Sequence, residues 1–198
     1  MSFDVLFPIS ILGTSNVGKT SLILRYVDYT FESERKISFQ VDFRTKDIEI
    51  EKKTIRLQIW DTAGLEEHQS QPTDALFRKG EAFILVFDLT NEKSLQELQD
   101  ILAKIDDIAK VDPLIIFVGN KSDLPNQIES PEEHLKKIHK KDELNFFKTS
   151  AKTGDQVSEM FEFVAKGLYQ IEKKKSEKKG ENNNVIDLKP VEIKKGCC

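Results

Sequence analysis

Eight consecutive residues, Gly13-Thr14-Ser15-Asn16-Val17-Gly18-Lys19-Thr20, limit what this chain can fold into more than any other stretch. They read G-x-x-x-x-G-K-[ST], and each fixed residue type meets a need of a bound polyphosphate. The glycines allow a tight turn whose backbone N–H groups converge on phosphate oxygens, which makes Gly13, Ser15, Asn16, Val17 and Gly18 candidate contacts. Lys19 can reach the β- and γ-phosphates, and the Thr20 hydroxyl can ligate Mg2+. A chance Lys-Thr after an ordinary glycine turn would show the same letters, so the flanks decide. Ile9 to Leu12 in front is a short apolar strand. From Lys19, Thr20 and Ser21 to about Val27 the spacing is helical, so a helix N-terminus also faces the anion.

The rest of the chain alternates strand and helix. Ala82 to Phe87 and Leu114 to Val118 are continuous apolar runs, as parallel strands covered on both faces require. Between them Leu95, Leu98, Ile101, Leu102, Ile105 and Ile108 recur at three- and four-residue spacing and predict one helix on the sheet. Val41 to Ile50 and Thr54 to Trp60 flank the polar turn Glu51-Lys52-Lys53 and predict an antiparallel hairpin. Pro8 is tolerable only near the start of the first strand, where a missing N–H costs least. Ser130-Pro131-Glu132-Glu133 has the form of a helix start with a capping box, Phe146 to Thr149 of a last short strand. Val157, Met160, Phe161, Val164 and Leu168 line one face of a final helix, after which the sequence turns Lys/Glu/Asn-rich and is expected to be a disordered tail. Thr30 to Gln40 and Asp61 to Gly80 read as loops. The pattern predicts an α/β doubly wound sheet with its ligand at the C-terminal ends of the strands.

Charge is uneven along the 198 residues. Residues 171–198 carry eight lysines and five carboxylates, leaving 22 basic and 29 acidic residues in the body. An acidic body argues against nucleic acid as a partner, and a basic tail suits an anionic membrane face. The only cysteines are Cys197 and Cys198, so neither a disulfide framework nor a Cys-based zinc site is expected, and a reducing, cytosol-facing compartment follows. Residues 1–12 do not read as a signal peptide, and the longest apolar run is far too short to span a bilayer.

Two further motifs follow strands. Asp61-Thr62-Ala63-Gly64 places a carboxylate beside the phosphate loop, where it can hold Mg2+ through water, and Gly64 can offer its N–H to a γ-phosphate. In Asn120-Lys121-Ser122-Asp123, Asp123 can accept from the N1–H and exocyclic amine of guanine, a pattern adenine lacks, while the Lys121 stem lies along the base. Ser150-Ala151-Lys152 follows the last strand and can present the Ala151 N–H to the guanine O6. An ordinary acidic turn or polar βα turn would satisfy either motif alone; their succession after a phosphate loop is what makes them specific.

With these motifs in order, residues 5–172 and the extreme terminus resemble a Rab-type small GTPase of the Ras superfamily. Phe39-Gln40-Val41-Asp42-Phe43, Arg56-Leu57-Gln58-Ile59-Trp60, Leu76-Phe77-Arg78-Lys79-Gly80 and Leu85-Val86-Phe87-Asp88-Leu89-Thr90 carry the likeness. The resemblance implies a six-stranded, mostly parallel sheet with helices on both faces, a GTPase domain over residues 1–172 and a variable tail over 173–198. It implies GTP or GDP with Mg2+ as ligands, Phe31 edge-on to the guanine, Ser38 in place of the switch I threonine that binds Mg2+, and Phe43 and Trp60 in the surface read by effectors. An exchange factor, a GTPase-activating protein, an escort protein and a GDP-dissociation inhibitor are implied partners, and the cytoplasmic face of an endomembrane or the plasma membrane an implied location. Cys197-Cys198 resembles a doubly geranylgeranylated ending, and two lipid chains anchor stably where one does not.

Three positions depart from the family pattern. Leu65 stands where the family has the glutamine that orients the attacking water, Ser38 drops a methyl, and Gln40 replaces a usual glycine. Lys19, Gly64 and Leu65 are therefore the positions at which catalysis is decided, and hydrolysis is expected to be slow. The expectation is a slow GTPase switch. Its alternative is an effector platform held with GTP, and a more distant one a phosphotransferase acting on an adenine nucleotide.

Overall fold

The structure, a computed structural model, describes residues 2–32, 42–62, 77–78, 80–109, 112–125, 128–139 and 143–182. Its sheet has six strands in the order β2-β3-β1-β4-β5-β6. They are β1 (Val5–Leu12), β2 (Asp42–Ile50), β3 (Lys53–Asp61), β4 (Ala82–Asp88), β5 (Leu114–Asn120) and β6 (Phe146–Lys148). Among the described strands only the β2–β3 pair is antiparallel; β1 lies parallel between β3 and β4. The strand order reverses at β1, so its C-terminal end is the topological switch point at which sheets of this kind bind ligands. The phosphate loop starts there, immediately after Leu12.

Pro8 sits inside β1 rather than at its start, and the register explains how. Its carbonyl accepts from the Glu81 N–H at 3.3 Å, on the β4 side, while the β1–β4 ladder begins only at Ile9 and Ala82. A strand residue points its N and C=O the same way, so the missing N–H faces the side where no ladder has yet formed.

The hairpin turns on Glu51 and Lys52, with φ of 51° and 65°, the paired positive values of a type I′ turn. Lys53 already belongs to β3. Along β3 alternate residues Ile55, Leu57, Ile59 and Asp61 are buried, so the pleat itself brings the Asp61 carboxylate to the protein side of the sheet. β4 is buried along its whole length, and all but the first residue of β5 is buried, as the apolar runs require.

Five helices are described: α1 (Lys19–Val27), α2 (Glu92–Gln96), α3 (Leu98–Ile108), α4 (Pro131–His139) and α5 (Val157–Asn182). The single helix expected across 95–108 is two segments meeting at Glu97, whose ψ is −15°. The apolar spacing runs through the junction, because Leu95, Leu98, Leu102 and Ile105 all enter one core with Phe83, Leu85, Phe87 and Phe117. Periodicity therefore reports the shared face and not the break. At α4 Ser130 has φ of 48°, outside the extended backbone that a capping box needs, and its carbonyl accepts from the Glu133 N–H at 3.0 Å.

Two compact units divide the chain, Met1–Leu168 and Tyr169–Cys198. In the first, Met160, Phe161, Val164 and Leu168 of α5 are buried, and the Phe161 ring stacks on Tyr26 of α1 at 4.2 Å between centroids. In the second, the stretch expected to lack structure after residue 172 is helical as far as Asn182. Lysine and glutamate are good helix formers, and they fill this stretch without supplying an apolar stripe. No helix among the described residues is long and apolar enough to cross a membrane.

Candidate nucleotide site

The turn after β1 is shaped for a ligand by what it cannot tolerate. Gly13 has φ of 144° and lies against β4, where a Cβ would collide with the Val86 carbonyl oxygen. Gly18 has φ of 99° and leaves no room for a side chain beside the Asn120 amide. Between them Val17 is buried, pinning the loop to the core, and Ser15 and Asn16 are exposed at its crest. Gly18 is the N-cap of α1 and supplies no side-chain cap, and the first turn holds no acidic residue, so no side chain of the helix itself answers the positive end of its dipole. Ser21 lies in that first turn. Lys19 is buried, and its ammonium bends back over the loop to the Gly13 carbonyl and, at 2.9 Å, to the Thr14 carbonyl.

Beside the loop the Thr20 hydroxyl donates to Asp61 Oδ2 at 2.5 Å. One comes from the first turn of α1 and the other from the end of β3, and both are hard oxygen donors of the sort Mg2+ prefers. The pair thus fits a magnesium site shared with phosphate oxygens. Next to it the Thr62 hydroxyl donates to the Ile11 carbonyl at 2.7 Å, fastening the end of β3 to β1.

The end of the site away from the phosphate loop is built around Asn120. Its Nδ2 donates to the Val17 carbonyl at 2.8 Å, and its Oδ1 accepts from the Ala151 N–H at 3.1 Å and the Thr149 hydroxyl at 3.4 Å. One buried amide therefore ties the phosphate loop to the Ser150–Lys152 turn. Asp123 is held by the Ser150 hydroxyl at 2.6 Å, with the Lys152 ammonium 3.9 Å from its other oxygen. Lys121 has φ of 67°, and its ammonium donates to Asp88 Oδ2 at 2.5 Å. Burial alone would raise the Asp88 carboxyl, but hydrogen bonds from Lys121 and from the Thr90 N–H and hydroxyl bring it below the ordinary carboxylate range.

The expected residues Gly13, Ser15, Asn16, Val17, Gly18, Lys19, Thr20 and Ser21 form one loop and helix start, Asp61 adjoins it, and Asn120 links it to the Asp123 and Ala151 segment. Phe31 is half-buried after α1. The Phe43 and Trp60 rings pair across the β2–β3 ladder at 4.9 Å, with Phe43 exposed. Ser38, Gln40, Gly64, Leu65, Cys197 and Cys198 lie outside the described residues. Sequence reasoning gives no role to Asp88 or Thr62. The available signal is position: Asp88 ends β4 in register with Asn120, at the same edge of the sheet as the other candidate residues.

A mostly parallel sheet with a phosphate loop at its switch point, oxygen donors beside it and a second loop cluster at the next strands has the Ras-like P-loop fold. The chain belongs to the Ras family, whose family model matches residues 9–170. Similar proteins carry Rab names. The rat "Ras-related protein Rab-13" is 35% identical over 167 residues, spanning 84% of this chain and 82% of the relative. The dog protein of that name is 32% identical over 195 residues, 98% of this chain and 95% of its own. The cattle "Ras-related protein Rab-26" is 38% identical over 169 residues, 85% of this chain and 66% of its own.

Proposed function

We propose that this protein is a Rab-type guanine-nucleotide switch in vesicle traffic, which binds GTP or GDP with Mg2+ and hydrolyses GTP slowly. The observation that carries the reading is Asn120, whose one side chain joins the phosphate loop to the segment holding Asp123 and Ala151. Such a bridge makes phosphate grip and base recognition a single site. On this reading the Lys19 ammonium exchanges its loop carbonyls for the β- and γ-phosphates, and the Gly13–Gly18 backbone follows their oxygens. Thr20 and Asp61, with Ser38, hold Mg2+, which when bound neutralises developing phosphate charge. Asp123 accepts from the N1–H and amine of guanine, and the Ala151 N–H shared with Asn120 turns to O6. Phe31 packs against the base.

Hydrolysis requires a water oxygen to bond to the γ-phosphorus as the bond to the β-phosphate oxygen breaks. Gly64 would offer its N–H to the γ-phosphate, but the Leu65 side chain neither donates nor accepts and cannot aim that water. Leu65 favours a second reading, in which the protein stays loaded with GTP as a platform for effectors docking on Phe43 and Trp60. In both readings residues 1–172 are the switch and 173–198 a tail whose Cys197 and Cys198 carry prenyl groups. That tail would hold the protein on the cytoplasmic face of a membrane, with an exchange factor, an activating protein, an escort and a dissociation inhibitor as regulators. Single-turnover hydrolysis of bound GTP, beside Leu65→Gln, separates the two. A slow wild type and a substitution that accelerates it by at least about tenfold are expected, since positioning of the attacking water dominates this chemistry; equal rates would overturn the role given to Leu65.

A further inference from the structure

Arg25, in the last turn of α1, reaches out of its own helix to the far end of the site. Its Nε donates to the Ala151 carbonyl and its Nη2 to the Lys152 carbonyl, each at 2.7 Å. Its Nη1 donates to the Tyr29 carbonyl at 3.2 Å, and the guanidinium carbon lies 6.0 Å from the centre of the Phe31 ring. A basic residue at a helix end ordinarily answers the carbonyls and dipole of that helix. This one spends two nitrogens on consecutive carbonyls 126 and 127 positions away. Only a planar guanidinium offers several N–H donors in a fixed fork, and a charged donor to a carbonyl is among the stronger hydrogen bonds.

The contacts fall on the two segments between which the proposed guanine lies. Ala151 is fixed from both sides, its N–H by Asn120 and its carbonyl by Arg25. Tyr29, exposed and at φ of 59°, and Phe31 form the start of the segment leading toward Ser38. We infer that Arg25 is a positioning residue for base recognition: it holds the Ala151–Lys152 turn and the Tyr29–Phe31 segment at a fixed separation, and so sets how long a guanine nucleotide stays bound. The inference rests on the guanine reading of the site.

The test measures dissociation of GDP, and of the diphosphate of 6-thioguanosine, which keeps the N1–H and amine but replaces O6 by a weakly accepting sulfur, from the full chain and from Arg25→Ala and Arg25→Lys. Release of GDP is expected to rise about tenfold in Arg25→Ala, the loss expected for one or two such hydrogen bonds. Arg25→Lys should fall between, since one ammonium cannot serve both carbonyls at fork geometry. Release of the analogue should change much less, because the contact that Arg25 steadies is already weak in it. Arg44→Ala, which removes the 2.9 Å ion pair to Asp28 at the end of the same helix, should leave both rates as they are. Unchanged GDP release in Arg25→Ala, or an equal rise for both nucleotides, would overturn the inference, the latter by marking Arg25 as a general brace. A wild-type chain that retains no GDP at all would instead remove the guanine reading beneath it.

Discussion

Asn120 concentrates the energetics of the site in one side chain. It is buried, and both ends of its amide are used, so truncation leaves the Val17 carbonyl and the Ala151 N–H without their partner. Leaving such buried groups unsatisfied costs about 1–3 kcal/mol. Asn120→Ala should therefore lose both base and phosphate affinity, seen as GDP and inorganic pyrophosphate weakening together in calorimetry. Weakening of GDP alone would show that the bridge does not couple the two halves. The identity of these residues is legible in the sequence because a phosphate loop demands glycines and a lysine at set spacing. The bonds among them are not. A dipeptide such as Phe87-Asp88 carries no mark that its carboxylate will meet Lys121 across the end of the sheet, and nothing in the spacing of Arg25 points to Ala151.

A second residue gives the helix packing a pH signature. Tyr26 is pushed up to about 12, by burial first and then by the charges of Glu162 and Tyr29. A raised value means that the neutral phenol is favoured in the folded state, so its contribution to stability is complete below the ordinary value of 10.0 and is lost as pH rises through the folded value. Alkaline unfolding should set in above pH 10 and be displaced to higher pH in Tyr26→Phe, followed by circular dichroism; an unchanged alkaline profile would contradict this.

At the scale of elements the hairpin turn is a locally unfavourable choice. Glu51 and Lys52 both occupy the left-handed region, where a residue with a Cβ is strained by about 1–2 kcal/mol. Lys52→Gly should raise stability by about 1 kcal/mol, partly offset by the greater freedom of glycine in the unfolded chain, and is checked by thermal melting. A lowered melting temperature would mean that the Lys52 side chain does more than complete the turn. The hairpin is legible in the sequence from its alternating strands, whereas its turn type is not, since neither residue is the glycine or asparagine that usually announces it. The break at Glu97 is hidden for a related reason, as is the helical stretch up to Asn182. Apolar periodicity registers a buried face, and neither a change of helix segment nor a Lys/Glu-rich sequence without an apolar stripe leaves a mark in it.

At the scale of the whole molecule, strand order does what no single residue could. Placing β1 between β3 and β4 reverses the winding at the phosphate loop, and the parallel strands then bring their last residues, Leu12, Asp61, Asp88 and Asn120, to the same end of the sheet. A ligand bridging those strand ends joins elements distant in sequence, and it stabilises the fold by mass action, as the logarithm of its concentration over its dissociation constant. The most direct measurement is the identity of the nucleotide that the purified chain carries, released by denaturation and separated by chromatography, followed by titration of the emptied protein with GDP or ATP in Mg2+. The expected result is about one guanosine nucleotide per chain, with GDP but not ATP restoring heat and thermal stability. No bound guanosine nucleotide, together with no heat on adding GDP or equal heat from ATP, would contradict it.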